Sequence, residues 1–194
     1  MEGIGGVYET SDIVTGAYER AAAAHAGGGS KGFDHPLAVA RKLAENSYGE
    51  PVVAAGLLHD TVEDSEADLG ELRDTFGGEV SALVDALTED ETISDWEERK
   101  AAHRQQVSGA GSEAAAIYAA DKLAGIAELR RAYAEKGEAA AERLTAPSLD
   151  ARIRAWEADA DMLEGIEPRL GFLPELRAEL NALEAQRQAA AARS

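Results

Sequence analysis

The stretch of this chain richest in chemistry is Leu57-Leu58-His59-Asp60-Thr61-Val62-Glu63-Asp64, which closes an otherwise apolar segment with an imidazole and three carboxylates. Burying such groups without partners is costly. His59 and Glu63 are four residues apart, as are Asp60 and Asp64. On a continuing helix these two adjacent rows present nitrogen and carboxylate toward overlapping space, and a cation is the economical partner for the cluster. Two further groups are candidates to complete it. His35 stands in the first turn of an expected helix, where the positive dipole end favours the neutral imidazole that coordinates metal. Asp121 interrupts an apolar helical face, where a carboxylate needs a cation or hydrogen-bond donors to offset its desolvation. Two imidazoles with two carboxylates form a mixed nitrogen and oxygen set that suits manganese, iron or zinc better than magnesium or calcium.

The elements that must position these groups read as helices. Alanine, leucine, glutamate and arginine dominate, and no stretch alternates apolar and polar residues long enough to read as a strand. The expected fold is all-α, a bundle of roughly eight to ten helices. A first helix is expected from Ser11 to Ala26, stopped by Gly27, Gly28 and Gly29, and a second from Asp34 or His35 to Asn46 or Ser47, with Pro36 in its first turn. Pro51 opens a third, whose Val52 to Leu58 stretch is apolar nearly all round and belongs at the centre of the bundle. Shorter helices follow at Leu69 to Phe76 and Glu79 to Leu87, then one through Trp96 and His103 to Val107, with Ser94 and Glu97 read as its capping box. The linker SGAGS leads into a helix from Glu113 to Ala134 with Asp121 in its middle, and further helices are expected at Leu149 to Leu163 and Pro174 to Ala192. The chain reads as a single domain over residues 1–194, with a catalytic core over 10–135 and a C-terminal helical extension over 138–194.

Bulk composition narrows the chemistry. The 194 residues hold 19 Lys plus Arg against 37 Asp plus Glu, and the formal charge of −18 repels polyanions at long range. The expected partner is therefore a small phosphorylated nucleotide and not a nucleic-acid polymer, since a few local cations and one metal ion can outweigh the distant field inside a cleft. With no cysteine, any metal must bind through nitrogen and oxygen, and the chain suits a reducing compartment. Neither a signal-like N-terminus nor a long apolar run is seen, so the expectation is a cytoplasmic protein without a membrane partner.

Taken in chain order, His35, then His59-Asp60, then Asp121 resemble the HD metal-dependent phosphohydrolase superfamily. The run His59-Asp60-Thr61-Val62-Glu63-Asp64 is similar to the hydrolase domain of the RelA/SpoT alarmone enzymes, above all to small stand-alone members such as the metazoan SpoT homologue. The likeness extends to His35-Pro36-Leu37-Ala38-Val39-Ala40, to Phe76-Gly77, to Arg99-Lys100 and to Ala120-Asp121-Lys122-Leu123. The resemblance implies an HD-domain helical bundle in which His35, His59, Asp60 and Asp121 are ligands, usually for manganese. It implies that Glu63 and Asp64 orient and deprotonate the attacking water, and that the reaction removes the 3′-pyrophosphate of ppGpp or pppGpp to leave GDP or GTP.

Departures from the family pattern concern recognition. The loop from His25 to His35 reads HAGGGSKGFDH, without the arginine that relatives carry before the first ligand histidine, and Lys31 and Phe33 stand as substitutes. After Asp121 the family usually reads Arg-Leu-His-Asn, whereas this chain has Lys122-Leu123-Ala124-Gly125, and Tyr118 stands where lysine is common. Two alternatives therefore stay open: the same centre acting on another nucleotide, for example as an NADPH phosphatase, or a catalytically silent nucleotide-binding module. Lys31, Lys122, Arg99, Lys100 and Arg104 are the candidate substrate contacts, with ion pairing or solvation competing for the last three. His25 and His103 read as surface or packing residues, and Trp96 and Trp156 as core or interface anchors. The charged helix from Arg177 to Arg193 leaves a homo-oligomer open.

Overall fold

The alanine- and leucine-rich pattern is realised entirely as helix among the described residues of the computed structural model, which are 4, 10–25, 32–65, 67–143 and 146–192, without the side chains of 25, 64 and 141–143. Lys31 and the side chain of Asp64, both singled out above, lie outside what is described. Ten α-helical segments follow one another: α1 (Asp12–His25), α2 (Asp34–Glu45), α3 (Glu50–Leu58), α4 (Thr61–Asp64), α5 (Leu69–Phe76), α6 (Gly78–Leu87), α7 (Trp96–Ala110), α8 (Ser112–Lys136), α9 (Leu149–Ile166) and α10 (Leu173–Ala191). A 3-10 segment, Gly137–Arg143, extends α8. No helix among the described residues is long and apolar enough to cross a membrane.

Helix α3 is the hub, as its all-round apolar surface requires. Val52, Val53, Ala54, Ala55, Leu57 and Leu58 are each at most 1% exposed, and the helix packs against α1, α2, α6 and α8. Its approach to α2 is close at Gly56, where a Cβ would stand 2.6 Å from Leu43 Cδ1. That closeness brings His35, the second residue of α2, to the C-terminal end of α3. Helix α8 forms the second axis of the core, with Ala114 to Ala120, Leu123, Ile126 and Leu129 buried, and touches α2, α3, α6, α7, α9 and α10.

Three local expectations are corrected. Helix α3 stops at Leu58, with His59 and Asp60 in a turn before the single turn α4, so Glu63 and Asp64 do not continue the rows of His59 and Asp60 down one helix. The backbone leaves the helical path at Asp60, whose φ of −93° and ψ of −1° open the turn. Helix α7 is capped by Asp95, whose side chain accepts from Glu98 N at 2.9 Å, and not by a Ser94–Glu97 box. The SGAGS linker is nearly all helical, since α7 runs through Ala110 and breaks only at Gly111, whose φ of +99° suits glycine alone.

Candidate metal centre and its cationic flank

The α2–α3 contact and the middle of α8 converge on one buried point. His35 and His59 are each 4% exposed, with ring centroids 5.5 Å apart and planes tilted by 44°. Asp121 Oδ1 lies 2.9 Å from His35 Nε2 and 3.7 Å from His59 Nε2. One ligand atom from each of His35, His59 and Asp121 falls within 4.8 Å of the others, a spacing that a single cation can satisfy. Asp60, expected in the same set, joins it through His59: its Oδ1 is 3.2 Å from His59 Nε2.

The orientation of His59 follows from its other nitrogen. Nδ1–H donates to the Gly56 carbonyl at 2.9 Å, which leaves Nε2 as the buried nitrogen that faces the Asp60 and Asp121 carboxylates. His35 has the same orientation, with Nε2 toward Asp121 and Nδ1 facing Glu128 Oε2 at 3.7 Å. Metal-ligating histidines are commonly fixed in this way through the nitrogen that does not ligate. Burial opposes protonation of His59, yet the Asp60 and Asp121 carboxylates outweigh it and push the imidazole up to about 10. Carboxylates that favour a proton on this nitrogen favour a cation in its place as well, and the two imidazoles with Asp121 could hold one.

Asp121 also ties the cluster to cations. Its Oδ2 accepts from Lys122 Nζ at 2.7 Å, and the ammonium lies 4.1 Å from the centre of the Tyr118 ring. Burial lowers the Lys122 pKa, but Asp121 and Asp159 more than compensate, so its charge is kept. Below it, Tyr118 donates its hydroxyl to Asp159 Oδ1 at 2.9 Å, and Arg104 reaches the same oxygen at 3.1 Å. Burial and Asp159 together raise the Tyr118 phenol, which therefore remains a donor. Lys100 is lowered by burial and then by the nearness of Lys122, with Arg152 adding to the repulsion. Lys100 and Arg152 share the Trp96 ring, and with Lys122 on Asp121 they are neighbouring cations in a chain that is otherwise strongly acidic.

The remaining predicted residues fall as follows. Lys122 is at the centre. Arg99 and Lys100 both pair with Glu89, and Arg104 is engaged with Asp159. Glu63 is exposed, and its Oε1 accepts from the backbone N–H of Glu89 at 2.8 Å. Arg152 was not anticipated. Its guanidinium carbon lies 5.2 Å from the Trp96 ring and 5.5 Å from the Trp156 ring, so the tryptophans act both as buried anchors and as walls for a cation. The available signal was spacing: Arg152 with Trp156, and Lys100 with Trp96, are aromatic and cation four apart on a helix. Trp156 also lies beside Gly125, where a Cβ would stand in ordinary contact at 3.7 Å from its Cζ2. A longer side chain at position 125 would have to share that space with the indole.

A helical bundle with two histidines and an aspartate gathered at one buried point is a scaffold able to hold a metal ion, and comparison with known proteins gives it a family. The HD domain profile matches residues 16–146, and the chain belongs to the HD domain family. Human guanosine-3′,5′-bis(diphosphate) 3′-pyrophosphohydrolase MESH1 is 36% identical over 109 residues, 55% of this chain and 60% of that protein. The chain thus spans about three fifths of the length of this relative. Among solved structures, lmo0812 from Listeria monocytogenes EGD-e superposes with a TM-score of 0.68 at 36% identity, covering 75% of this chain and 96% of that one. A metazoan ortholog of SpoT that hydrolyses ppGpp superposes with a TM-score of 0.67 over 91% of this chain and 96% of its own, and at 23% identity it supports the fold.

Proposed function

We propose that this protein is a metal-dependent phosphohydrolase that removes the 3′-pyrophosphate of ppGpp or pppGpp, leaving GDP or GTP, with manganese as the metal. The observation that carries the reading is the junction at Asp121: one oxygen faces His35 and His59, the other holds Lys122, and Lys122 opens onto Lys100 and Arg152. A metal centre and a phosphate-binding flank share one carboxylate. The activity printed in the name of the human relative agrees with it.

His35, His59, Asp60 and Asp121 would hold the ion, and the buried Nε2 of His59 fits such a ligand. A bound divalent metal supplies Lewis acidity toward a phosphoryl oxygen and eases deprotonation of water. Glu63 and Asp64 are assigned the orientation and deprotonation of the attacking water, a role that requires hydrogen-bond reach in the substrate complex. Lys122, Lys100 and Arg152 neutralise the phosphate charge, Arg152 with the planar fork suited to phosphate oxygens.

A second reading, the same centre acting on another nucleotide such as NADPH, is favoured by one observation: Lys122-Leu123-Ala124-Gly125 departs from the pattern that the family resemblance implies after Asp121. Purified protein loaded with manganese, assayed for phosphate and pyrophosphate release across ppGpp, pppGpp, NADPH and ordinary nucleotides, tests both. Pyrophosphate released fastest from the alarmones is expected, and none released from them defeats the first reading. In the same assay Asp60→Ala should lose metal, while Glu63→Gln should keep metal and lose most turnover.

A further inference from the structure

Glu63 sits on a helix of a single turn, exposed, and a contact that orients it comes from a neighbouring loop. The backbone N–H of Glu89 donates to Glu63 Oε1 at 2.8 Å. A general base on so short an element has little rigidity of its own, so its aim depends on what fixes that amide.

The loop between α6 and α7 is fixed by one face of α7. Gln106 Nε2 donates to the carbonyls of Asp85 and Thr88 at 2.8 and 2.9 Å. Arg99 Nη1 donates to the Ile93 carbonyl at 2.8 Å, and its Nε reaches Glu89 Oε2 at 3.2 Å. Lys100 Nζ makes a short contact with Glu89 Oε1, and His103 Nδ1 lies 3.4 Å from the same oxygen. Residues 99, 103 and 106 form one helical row with 100 beside it. The Glu89 carboxylate is therefore gripped from three sides, while its amide holds the Glu63 carboxylate.

We propose that Glu89 is a positioning residue for Glu63, and that the Arg99, Lys100, His103 and Gln106 face of α7 is the brace that keeps it in place. Through this brace the geometry of the base depends on a helix that carries none of the metal ligands. The inference rests on the role given to Glu63 above. It also assigns Arg99 to the loop, where it binds a carbonyl and a carboxylate, and not to substrate.

The test is a double-mutant cycle on kcat with ppGpp and manganese. Glu89→Ala should lower kcat by roughly 10- to 100-fold, as misplacement of a catalytic group does, with manganese affinity unchanged, KM no higher because Lys100 is released toward phosphate, and partial recovery of kcat in Glu89→Asp. In the Glu63→Gln background the same change should cause no further loss, because the effect travels through Glu63. Gln106→Ala, which removes only loop contacts, should lower kcat in the same Glu63-dependent way and covers the case in which Glu89→Ala fails to fold. Full kcat in Glu89→Ala, or equal losses with and without Glu63, would overturn the proposal. A wild type that hydrolyses no nucleotide would instead defeat the function assigned above.

Discussion

Removing one hydroxyl from Tyr118 measures how far the metal centre leans on α9. That hydroxyl donates to Asp159 Oδ1 at 2.9 Å, and the two residues are 1% and 4% exposed. In Tyr118→Phe the buried carboxylate keeps Arg104 at 3.1 Å and loses its second donor. A hydrogen bond to a charged group contributes about 1.5–3 kcal/mol, which for a chain of this size lowers Tm by roughly 3–12 °C. The phenylalanine ring still lies beneath Lys122, whose ammonium is 4.1 Å from the ring centre. The Lys122–Asp121 contact should then survive, and manganese affinity should change less than about tenfold, below the range typical of a lost second-layer support. Tyr118→Leu removes the ring as well, and should weaken manganese binding by about 10- to 100-fold. Thermal melts with and without metal, together with calorimetric titration of manganese, read both effects. A Phe variant that melts with the wild type, or a Leu variant that binds manganese as tightly, would refute the chain of support from Asp159 through Tyr118 and Lys122 to Asp121.

Three further outcomes are expected. Gly56→Ala places a methyl 2.6 Å from the buried Leu43 Cδ1 and should cost about 1–3 kcal/mol in urea unfolding; an unchanged midpoint would mean that α2 and α3 are not closely seated there. Burial raises the Glu89 carboxyl, but His103 and Lys100 outweigh it and hold it well below the usual carboxylate range. A depressed folded value gives stabilisation that is full above the unfolded pKa of about 4.3 and drains as pH falls below it, so the urea midpoint should drop below about pH 5 and drop less steeply in Glu89→Gln. Equal slopes would remove Glu89 from the account of acid sensitivity. Arg152→Ala should raise the nucleotide KM by roughly 10- to 100-fold, from the loss of charge-assisted hydrogen bonds to phosphate, with kcat little altered; a change confined to kcat would place Arg152 elsewhere in the reaction.

The fold was legible because its signals are local. Val52 to Leu58 has no polar face to turn outward, so α3 had to be central, and Pro36, Pro51 and the glycines punctuate the helices near where they start and stop. What composition hides is where the backbone leaves the helical path. The break after Leu58 sets His59 and Asp60 in a turn, and it sends Glu63 toward Glu89 instead of continuing the histidine row. The three-member cluster of His35, His59 and Asp121 was legible as well, since each is a polar group on an otherwise apolar surface.

The cationic flank was harder to see because a cation announces nothing in an acidic, arginine-bearing helix. Arg152 becomes distinct only when α9 packs beside α7 and α8 and sets it between Trp96 and Trp156. The segment set apart as a C-terminal extension therefore carries Arg152, Trp156 and Asp159, which touch the centre through Lys100, Tyr118 and Arg104. Within a net charge of −18, three of the cations near the centre have a carboxylate beside them: Lys122 has Asp121, Lys100 has Glu89, and Arg104 has Asp159. Such pairing lets cations be stored in a buried region without the repulsion that would expel them. It also means that an arriving phosphate must compete with Asp121 and Glu89 for Lys122 and Lys100. Affinity for substrate in this flank is set by how weakly those pairs hold, not by how many cations are present.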